Sequence, residues 1–432
     1  MSAKRSRKPL AKCDSNIQPP AKKAKHKSPR KASNLIDATE PILHDPAAFQ
    51  SIQGAEHLTE SRVPEETSLT PAAFFGLFWD DSIIEHLVCV TNAYAREKKA
   101  TKQQWRYPIS LSELRIFLGI TILMGITRLG RVSRYWSDGI LSVRSSMSYH
   151  RYCQVKCFIH ISMPEDTTSS PRSKWWRKLE PLSSHLRHKS QAFYQPGTHL
   201  SIDEMMVSFS GRSFHTVRIP SKPIPIGYKV IALCSMGYTI DWMLTLRTES
   251  FAKLTKLPNL SLTSSAVMQL CRSLDPYQYQ FIIYMDNGFS TAPLFRKLRE
   301  KNIGPCGTTR VNRIEYPAHL EQHALTEWNT IDGCSIDGVL CFRWMDNNIV
   351  RMLTTVHPWN EVTRSMRQRP RKTSTNATVV RKAFGDKERA AFFIPTAIDD
   401  YNHYMGGVDI ADQRRAGMLN HIHNTGIGVA NN

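Results

Sequence analysis

The chain has 432 residues, of which 41% are hydrophobic and 9% aromatic, and its formal net charge is +20. This length allows two or three domains, and the apolar content is sufficient for sizeable cores. The basic balance favours polyanionic partners, because lysine and arginine neutralise phosphates and release counterions. A basic protein without such a partner is the alternative, since charge governs non-specific binding and not fold.

Cysteine usage and hydropathy argue against a disulfide-rich secreted protein and against a membrane-spanning protein. Nine cysteines are spread along the chain without a C-x-x-C pair, whereas disulfide frameworks belong to short secreted chains. We therefore expect reduced thiols in an intracellular protein without a signal peptide. The longest apolar run, Ile116–Ile126, is too short to cross a bilayer, so we expect no membrane partner.

Residues 1–66 contain few large apolar side chains and are expected to form a disordered basic arm. Its first 35 residues hold eleven lysines and arginines against a single acid, Asp14, and so carry half of the net charge. The densest run is PPAKKAKHKSPRK, residues 19–31, a composition typical of nuclear localisation signals and nucleic-acid tails. We expect a nuclear protein; a solvated tail without a receptor is the alternative.

A mainly helical region is predicted over residues 67–195, and we assign it to DNA binding or dimerisation. Thr70-Pro71 joins a capping hydroxyl to a proline at the first helical position. Ser110 and Glu113 have the spacing of a capping box. A further helix is expected from Tyr149 to Ile161.

From residue 196 onward, short β-rich segments alternate with amphipathic helices, which indicates an α/β layer. A tight turn is expected at Met236-Gly237, between two of the strands. In residues 311–398, two strand-like runs flank Met345–Asn348 and predict a hairpin. The segment RSMRQRPRK, residues 364–372, is predicted to be a basic loop. Its five cations are the candidate DNA-binding residues: Arg364, Arg367, Arg369, Arg371 and Lys372.

Four aspartates occupy positions where an α/β sheet gathers a site. Asp203 ends a short predicted strand, Asp286 ends a longer one, and Asp409 and Asp412 begin a predicted helix after Gly406-Gly407. Phosphoryl transfer needs hard oxygen ligands for Mg²⁺ ions about 3.5–4 Å apart, so several carboxylates must converge. The spacing of three places the last two acids on one helical face. Local chemistry leaves helix capping and turn formation open as alternatives.

Longer stretches favour the catalytic interpretation. Four blocks resemble the hallmark blocks of the piggyBac transposase family and follow the family's order: SIDEMMVSFSGRS (201–213), IPSKPIPIGYKV (219–230), YMDNGFSTAPLF (284–295) and YNHYMGGVDIADQ (401–413). With its helical part, the resemblance covers about residues 70–413. The similarity ends after Gln413, so we expect the last catalytic helix and the tail to be truncated relative to the family.

The resemblance implies an α/β fold with an RNase H-like catalytic core, in residues 196–310 and 399–432, that a β-rich insertion over 311–398 interrupts. It implies three essential aspartates, Asp203, Asp286 and Asp409, which bind two Mg²⁺ ions (Mn²⁺ can substitute), and an accompanying catalytic acid at Asp412. It also implies a homodimer that cuts double-stranded DNA and joins it at TTAA targets.

Two other hypotheses compete with a DDD transposase. One is a domesticated or decayed nuclear DNA-binding protein without turnover, and the other is an interaction protein with no DNA role. Two further features are ambiguous. Cys153, Cys157 and His160 share one helical face and can either bind zinc or pack in a core. Trp175-Trp176, among basic residues, can stack on bases or pack inside the protein.

Overall fold

A mixed sheet of eleven strands runs through the part of the chain that the structure, a computed structural model, describes. The predicted nuclear localisation segment, residues 19–31, lies outside the described residues, as does the tail after residue 419. The described residues are 42–44 and 49–419 without 53, 128, 138–140, 165–171, 210, 212, 221 and 247–249.

The strands and helices are numbered here in chain order. The strands are β1 Ile42–His44, β2 Glu60–Ser61, β3 Tyr194–Gln195, β4 His199–Ser208, β5 Val217–Arg218, β6 Ile226–Ser235, β7 Tyr238–Leu246, β8 Ser250–Phe251, β9 Phe281–Met285, β10 Ile303–Thr308, β11 Thr330–Ile336, β12 Val339–Met345, β13 Ile349–Thr354, β14 Val362–Gln368 and β15 Arg389–Pro395. The α-helices are α1 Pro71–Phe78, α2 Asp81–Glu97, α3 Leu111–Thr127, α4 Arg134–Ser137, α5 Leu141–Ser146, α6 Tyr149–Phe158, α7 Glu180–Ala192, α8 Leu262–Leu270, α9 Ala292–Arg299, α10 Ala377–Phe384, α11 Thr396–Tyr404 and α12 Gly407–Leu419.

The strands of the sheet lie in the order β1-β11-β12-β13-β10-β9-β4-β6-β7-β8, and β5 adds to β6. On one side of β4, β6 and β7 follow as antiparallel neighbours. On its other side, β9 and β10 run parallel to it. The strands β11–β13 continue the same sheet through the antiparallel pair β10–β13, whereas β14 and β15 form a separate two-stranded sheet.

Apolar side chains build a core on each face of the sheet. On one face, Ile202, Ile231 and Ile283 belong to a cluster that includes residues of α8 and α9. On the other face, α11 packs over the β9–β13 side and α12 packs over β4 and β6. The predicted α/β class is therefore confirmed as a large mixed sheet covered by helices.

The first helices begin where the capping signals predict. The Thr70 hydroxyl accepts the N–H of Ala73 at 3.2 Å, and α1 begins with proline. Ser110 Oγ accepts the N–H of Glu113 at 3.2 Å, while the Glu113 carboxylate accepts the N–H of Ser110 at 3.3 Å. Both predicted helix starts are confirmed. The helix expected from Tyr149 to Ile161 is α6, which ends earlier, at Phe158.

A buried ion pair joins α3 to α6. Arg151 donates from Nε and Nη2 to the two Glu113 oxygens at 3.0 and 3.1 Å and is only 5% exposed. Its guanidinium lies over the rings of Tyr107 and Trp105, at 4.1 and 4.8 Å from their centroids. The carboxylate that caps α3 therefore also fixes α6.

Residues 42–66 correct the predicted extent of the disordered arm. They carry β1, which pairs in parallel with β11, and β2, which pairs with β3. The N–H of His57 donates to the Thr198 hydroxyl at 2.8 Å, and Phe49 and Ile52 pack on the core under α11. A few apolar residues and edge pairing are enough to order this polar segment.

The segment before α11 contains one confirmed prediction and one correction. The predicted hairpin is formed by β12 and β13, with Met345 opposite Ile349. The predicted basic loop 364–372 is wrong in its first half, because β14 extends to Gln368 and pairs with β15. Along β14 the exposed residues Arg364, Met366 and Gln368 alternate with the half-buried Ser365 and Arg367, the period of a strand that composition alone concealed.

The apolar run Ile116–Ile126 lies within α3. Three of its residues, Phe117, Ile120 and Met124, are buried in the core of the helical region. In the part of the chain that the structure describes, no helix is long and apolar enough to cross a bilayer.

Glu113→Ala is expected to lower the free energy of unfolding by about 2–4 kcal/mol, because Arg151 would become an unpaired buried charge and α3 would lose its cap. Denaturant titration followed by circular dichroism measures this. Glu97→Ala is the matched control: Glu97 is 39% exposed and pairs with the exposed Lys98, so it should cost less than about 1 kcal/mol. Equal losses in the two variants would contradict the role of the buried pair.

Candidate active site

Asp203 lies in the middle of β4, at the point where the sheet opens. Up to Ile202, β4 is paired on both sides, because Ile202 faces Met285 at the end of β9. From Asp203 to Ser208, the described pairing is with β6 alone. The prediction that Asp203 ends its strand is therefore wrong, because pairing with β6 extends the strand beyond the short apolar run.

Asp286 follows β9 directly and so adjoins Asp203 across the two parallel strands. The Gly288 N–H donates to Asp286 Oδ1 at 2.7 Å. The N–H groups of Phe289 and Ser290 donate to the Asp286 carbonyl, both at 3.1 Å. A Cβ at Gly288 would lie 2.8 Å from the same Oδ1, so this tight turn needs glycine. The turn holds the carboxylate at the opening of the sheet.

Helices α11 and α12 meet at Gly406-Gly407 above β4. A Cβ at Gly407 would lie 2.5 Å from Ser201 Oγ, so α12 begins in direct contact with the strand. At the end of α11, the ring of Tyr404 stacks on that of His199, the first residue of β4, with centroids 3.6 Å apart. The glycine pair lets the chain pass from one helix to the next at contact distance from the sheet.

The first turn of α12 is anchored by its apolar face. Val408 and Ala411 are buried against residues of β4 and β6, among them Met205 and Ala232. Asp409, between these two anchors, is exposed. Its carboxylate is therefore fixed in place through its neighbours while remaining open to solvent and to ligands.

The charges of Asp286 and Asp409 act on Asp203. Burial, together with the charges of Asp286 and Asp409, raises the pKa of Asp203 to about 6. The N–H of Glu204, which donates to Asp203 Oδ1 at 2.7 Å, and the nearby charge of Lys222 act in the opposite direction. Negative charge thus accumulates at one point, where a bound cation would stabilise all three carboxylates.

Asp412 is held apart from this group. Its Oδ1 accepts from the Arg415 guanidinium, and its Oδ2 accepts the Met206 N–H at 3.4 Å. Met206 lies three residues beyond Asp203, which is roughly 10 Å along an extended strand. The charges of Asp286 and Asp409 therefore act on Asp203, whereas Asp412 is paired with an arginine.

Two residues that the sequence analysis did not single out also lie near the acids. Lys222 lowers the pKa of Asp203 by its charge, and its ammonium donates to the Glu204 carbonyl at 3.5 Å. Burial, and then the charges of Asp286 and Asp203, raise the pKa of Tyr401 to about 12. Lys222 and Tyr401 both lie inside the quoted sequence blocks, and that position is the sequence feature that could have identified them as site residues.

The candidate DNA-binding cations lie on β14 and the segment after it. Arg367 donates to Asp346 at 2.6 Å, and Arg369 donates to the Gly385 carbonyl at 2.9 Å. These two contacts hold the strand and its following turn in place. The remaining candidates are exposed to solvent: Arg364, Arg371 and Lys372.

The described residues contain no group of three or more His, Cys, Asp or Glu side chains placed to hold a metal ion. The zinc alternative for Cys153, Cys157 and His160 thus gains no support, and His160 instead stacks on Tyr94 with centroids 4.1 Å apart. The side chains of Asp203, Asp286 and Asp409 nevertheless fit a divalent cation in their chemistry, because hard carboxylate oxygens are the ligands that Mg²⁺ prefers.

Comparisons with known proteins identify the family. The profile of the transposase IS4 family matches residues 70–425. PiggyBac transposable element-derived protein 3 of Homo sapiens is 30% identical over 359 residues, which cover 80% of this chain and 55% of that protein. The chain belongs to the piggyBac-type transposase family. PiggyBac transposable element-derived protein 2 of Homo sapiens is 24% identical over 359 residues, covering 81% of the chain and 56% of that protein.

A solved piggyBac transposase shares the fold. Its cryo-EM structure, a synaptic complex with hairpin DNA, matches with a TM-score of 0.61 and 22% identity over 81% of this chain and 69% of that one. The family resemblance inferred from the four sequence blocks is therefore confirmed. The piggyBac-type chain spans about half the length of the curated relatives it matches.

Asp203→Asn is expected to stabilise the metal-free protein above the pKa of about 6. The raised pKa means that ionised Asp203 costs stability at neutral pH, whereas below its unfolded-state pKa the protonated acid costs nothing. The gain should be on the order of 1–3 kcal/mol near pH 7.5 and vanish near pH 4. Thermal denaturation in EDTA at both pH values measures it.

Asp412→Asn is the matched control for this experiment and should lower stability, since it removes a partner of Arg415. A destabilising Asp203→Asn at every pH would contradict the proposed accumulation of charge.

Gly407→Ala is expected to lower the free energy of unfolding by about 1–3 kcal/mol, because the added Cβ forces α12 away from β4. Gly406→Ala is the matched control: a Cβ there would meet no atom within 4 Å. Denaturant titration of both variants measures the difference. Indistinguishable stabilities would show that α12 does not need its close approach to the strand.

Proposed function

We propose that the chain is a metal-dependent DNA nuclease and strand transferase, in which Asp203, Asp286 and Asp409 bind two divalent cations. One observation supports this most strongly: Asp203, Asp286 and Asp409 come from distant parts of the sequence, and burial together with the charges of the other two raises the pKa of Asp203. Membership of a transposase family supports the type of reaction.

The strand order supports an RNase H-like core. Three antiparallel strands, β7, β6 and β4, are continued by the parallel strands β9 and β10, and the acids stand on β4, after β9 and on α12. In this proposal residues 196–310 and 399–432 form the core. Residues 311–398 are the insertion between its parts, and residues 67–195 form the DNA-binding or dimerisation domain.

The donor set fits Mg²⁺, with Mn²⁺ as an alternative of the same oxygen preference. Asp203 and Asp286 would share one ion, and Asp409 would complete the pair. When bound, such a pair activates a water or a 3′-hydroxyl and stabilises the leaving oxygen of a phosphodiester. Ionised Asp203 would be a ligand of the ion, and the nearby Lys222 ammonium would add positive charge for a bound phosphate.

Double-stranded DNA is the proposed substrate. The net charge of +20 favours phosphate binding, and the related piggyBac transposase was solved with hairpin DNA. Exposed Arg364, Arg371 and Lys372 are assigned to backbone contacts, with Arg367 and Arg369 holding their segment. TTAA target choice, a homodimer and a nuclear location follow from the family resemblance and from the basic run 19–31.

The second candidate is a domesticated or decayed nuclear DNA-binding protein without turnover. The ion pair of Asp412 with Arg415 favours it, because an acid neutralised in this way does not contribute to a metal site. Both candidates bind DNA, so cleavage distinguishes them.

With Mg²⁺ or Mn²⁺, the purified chain is expected to nick duplex DNA that carries transposon ends flanked by TTAA. Asp286→Asn should reduce nicking at least about 100-fold, because it removes a metal ligand, and leave DNA affinity within about twofold. The matched control is Asp337→Asn, at an aspartate that is 70% exposed in a turn, and it should nick normally. Binding without nicking under either metal would favour the second candidate, and loss of both would reject both.

A further inference from the structure

Five aromatic rings form a row beyond the acids, at the far end of β4. In spatial order they are Phe209, Tyr228, Trp175, His215 and Phe214, called here the aromatic row. Successive centroids are 5.1, 4.6, 5.4 and 5.2 Å apart. The inner contacts are stacked, with interplanar angles of 24° and 29°, and the outer two are tilted or edge-on. Tyr228, Trp175 and His215 therefore form an inner stack, in which His215 is only 6% exposed and the other two rings are half-buried.

Short contacts hold the row in this shape. Ser213 Oγ accepts both the Tyr228 hydroxyl at 3.0 Å and the His215 N–H at 3.2 Å, which ties β6 to the loop after β4. A Cβ at Gly211 would lie 2.8 Å from the Phe209 ring. One serine and one glycine thus set the positions of the rings, so the row is built into the fold.

The two ends of the row are open to solvent. Phe214 is 57% exposed and Phe209 is 37% exposed, although phenylalanine is among the residues most often buried. Arg218, on β5, is exposed close by, opposite Ile226 in register. Glu204, on the neighbouring stretch of β4, is neutralised by Lys229. Exposed end rings beside a solvent-exposed cation are the composition of surfaces that stack nucleic-acid bases and contact their phosphates.

The distance from the acids suits a DNA strand. Phe209 directly follows the end of β4 and lies six residues beyond Asp203, which is roughly 20 Å along an extended chain. At about 3.4 Å per nucleotide, a stacked DNA strand covers this distance in about six nucleotides. A strand with one phosphate at the acids therefore reaches the aromatic row.

We propose that the aromatic row is a stacking site for the unpaired bases of a DNA strand. The choice of DNA as ligand rests on the proposed function; the site itself rests on the two exposed end rings, Phe209 and Phe214, which the inner stack supports. It takes a single-stranded extension or another unpaired segment next to a duplex, and it tolerates any sequence because every base has a π face.

The test is a binding measurement on the full chain in EDTA, so that no cleavage is required. Two fluorescent DNAs are compared by anisotropy: a blunt duplex, and the same duplex with an unpaired extension of about ten nucleotides. The wild-type chain should bind the extended DNA more tightly. A 2-aminopurine placed in the extension should be quenched on binding by stacking.

Phe214→Ala should weaken binding of the extended DNA about 5- to 100-fold, with blunt-duplex affinity within about twofold. Phe214→Trp should retain the preference, whereas Phe214→Leu, which keeps apolar bulk without a ring, should lose it. Tyr277→Ala is the matched control, since Tyr277 is 90% exposed and stands outside the row. It should bind both DNAs as the wild type does.

Three results would overturn the inference. The wild-type chain could bind both DNAs equally, as expected if a protein partner covers the row. Phe214→Ala could bind the extended DNA as tightly as the wild type does, or it could lose the same affinity for both DNAs. The Asp286→Asn variant distinguishes failure of the stacking site from failure of the proposed nuclease activity. If that variant and the wild type both fail to nick but keep the preference for the extension, the stacking site stands without the nuclease. If neither binds DNA, both are rejected.

Discussion

The close contact between α12 and β4 is the constraint on which the candidate site depends. β4 is enclosed by neighbouring strands up to Ile202 and then continues beside β6 alone. At Gly407 even a single methyl group would collide with Ser201, and the buried side chains of Val408 and Ala411 fix the rotation of the helix. Asp409 is placed by this contact, because nothing local to its own segment directs it toward the other acids.

The site also depends on a contrast in charge. The chain as a whole is strongly basic, yet it gathers three carboxylates where burial raises the pKa of one of them. Repulsion among these acids costs stability in the metal-free protein, and a divalent cation removes that cost. The net positive charge of the chain favours polyanionic partners, and under the proposed function the acidic site and the basic chain would serve the same substrate.

Features set by local chemistry were predictable from the sequence, and features set by distant pairing were not. The helix starts at Thr70 and Ser110 and the turn at Met236-Gly237, with φ of 47° and 87°, follow from the residues themselves. The length of β4 depends on its pairing with β6, and the strand Val362–Gln368 depends on its pairing with β15. The composition of these segments therefore predicted a strand end at Asp203 and a loop at 364–372, and both predictions were wrong. The three site acids were predicted from the family blocks. Arg415, the partner of Asp412, lies three residues along the same helix; the sequence shows this i,i+3 charge pair, but the prediction missed it.

Iron-directed cleavage of the backbone tests the central geometry most directly. Fe²⁺ in place of Mg²⁺, with peroxide, produces hydroxyl radicals that cut only the chain segments next to the bound ion. The account predicts cuts near Asp203, Asp286 and Asp409 together, all lost in Asp286→Asn. Cuts confined to one of these segments, or located elsewhere in the chain, would contradict a shared site.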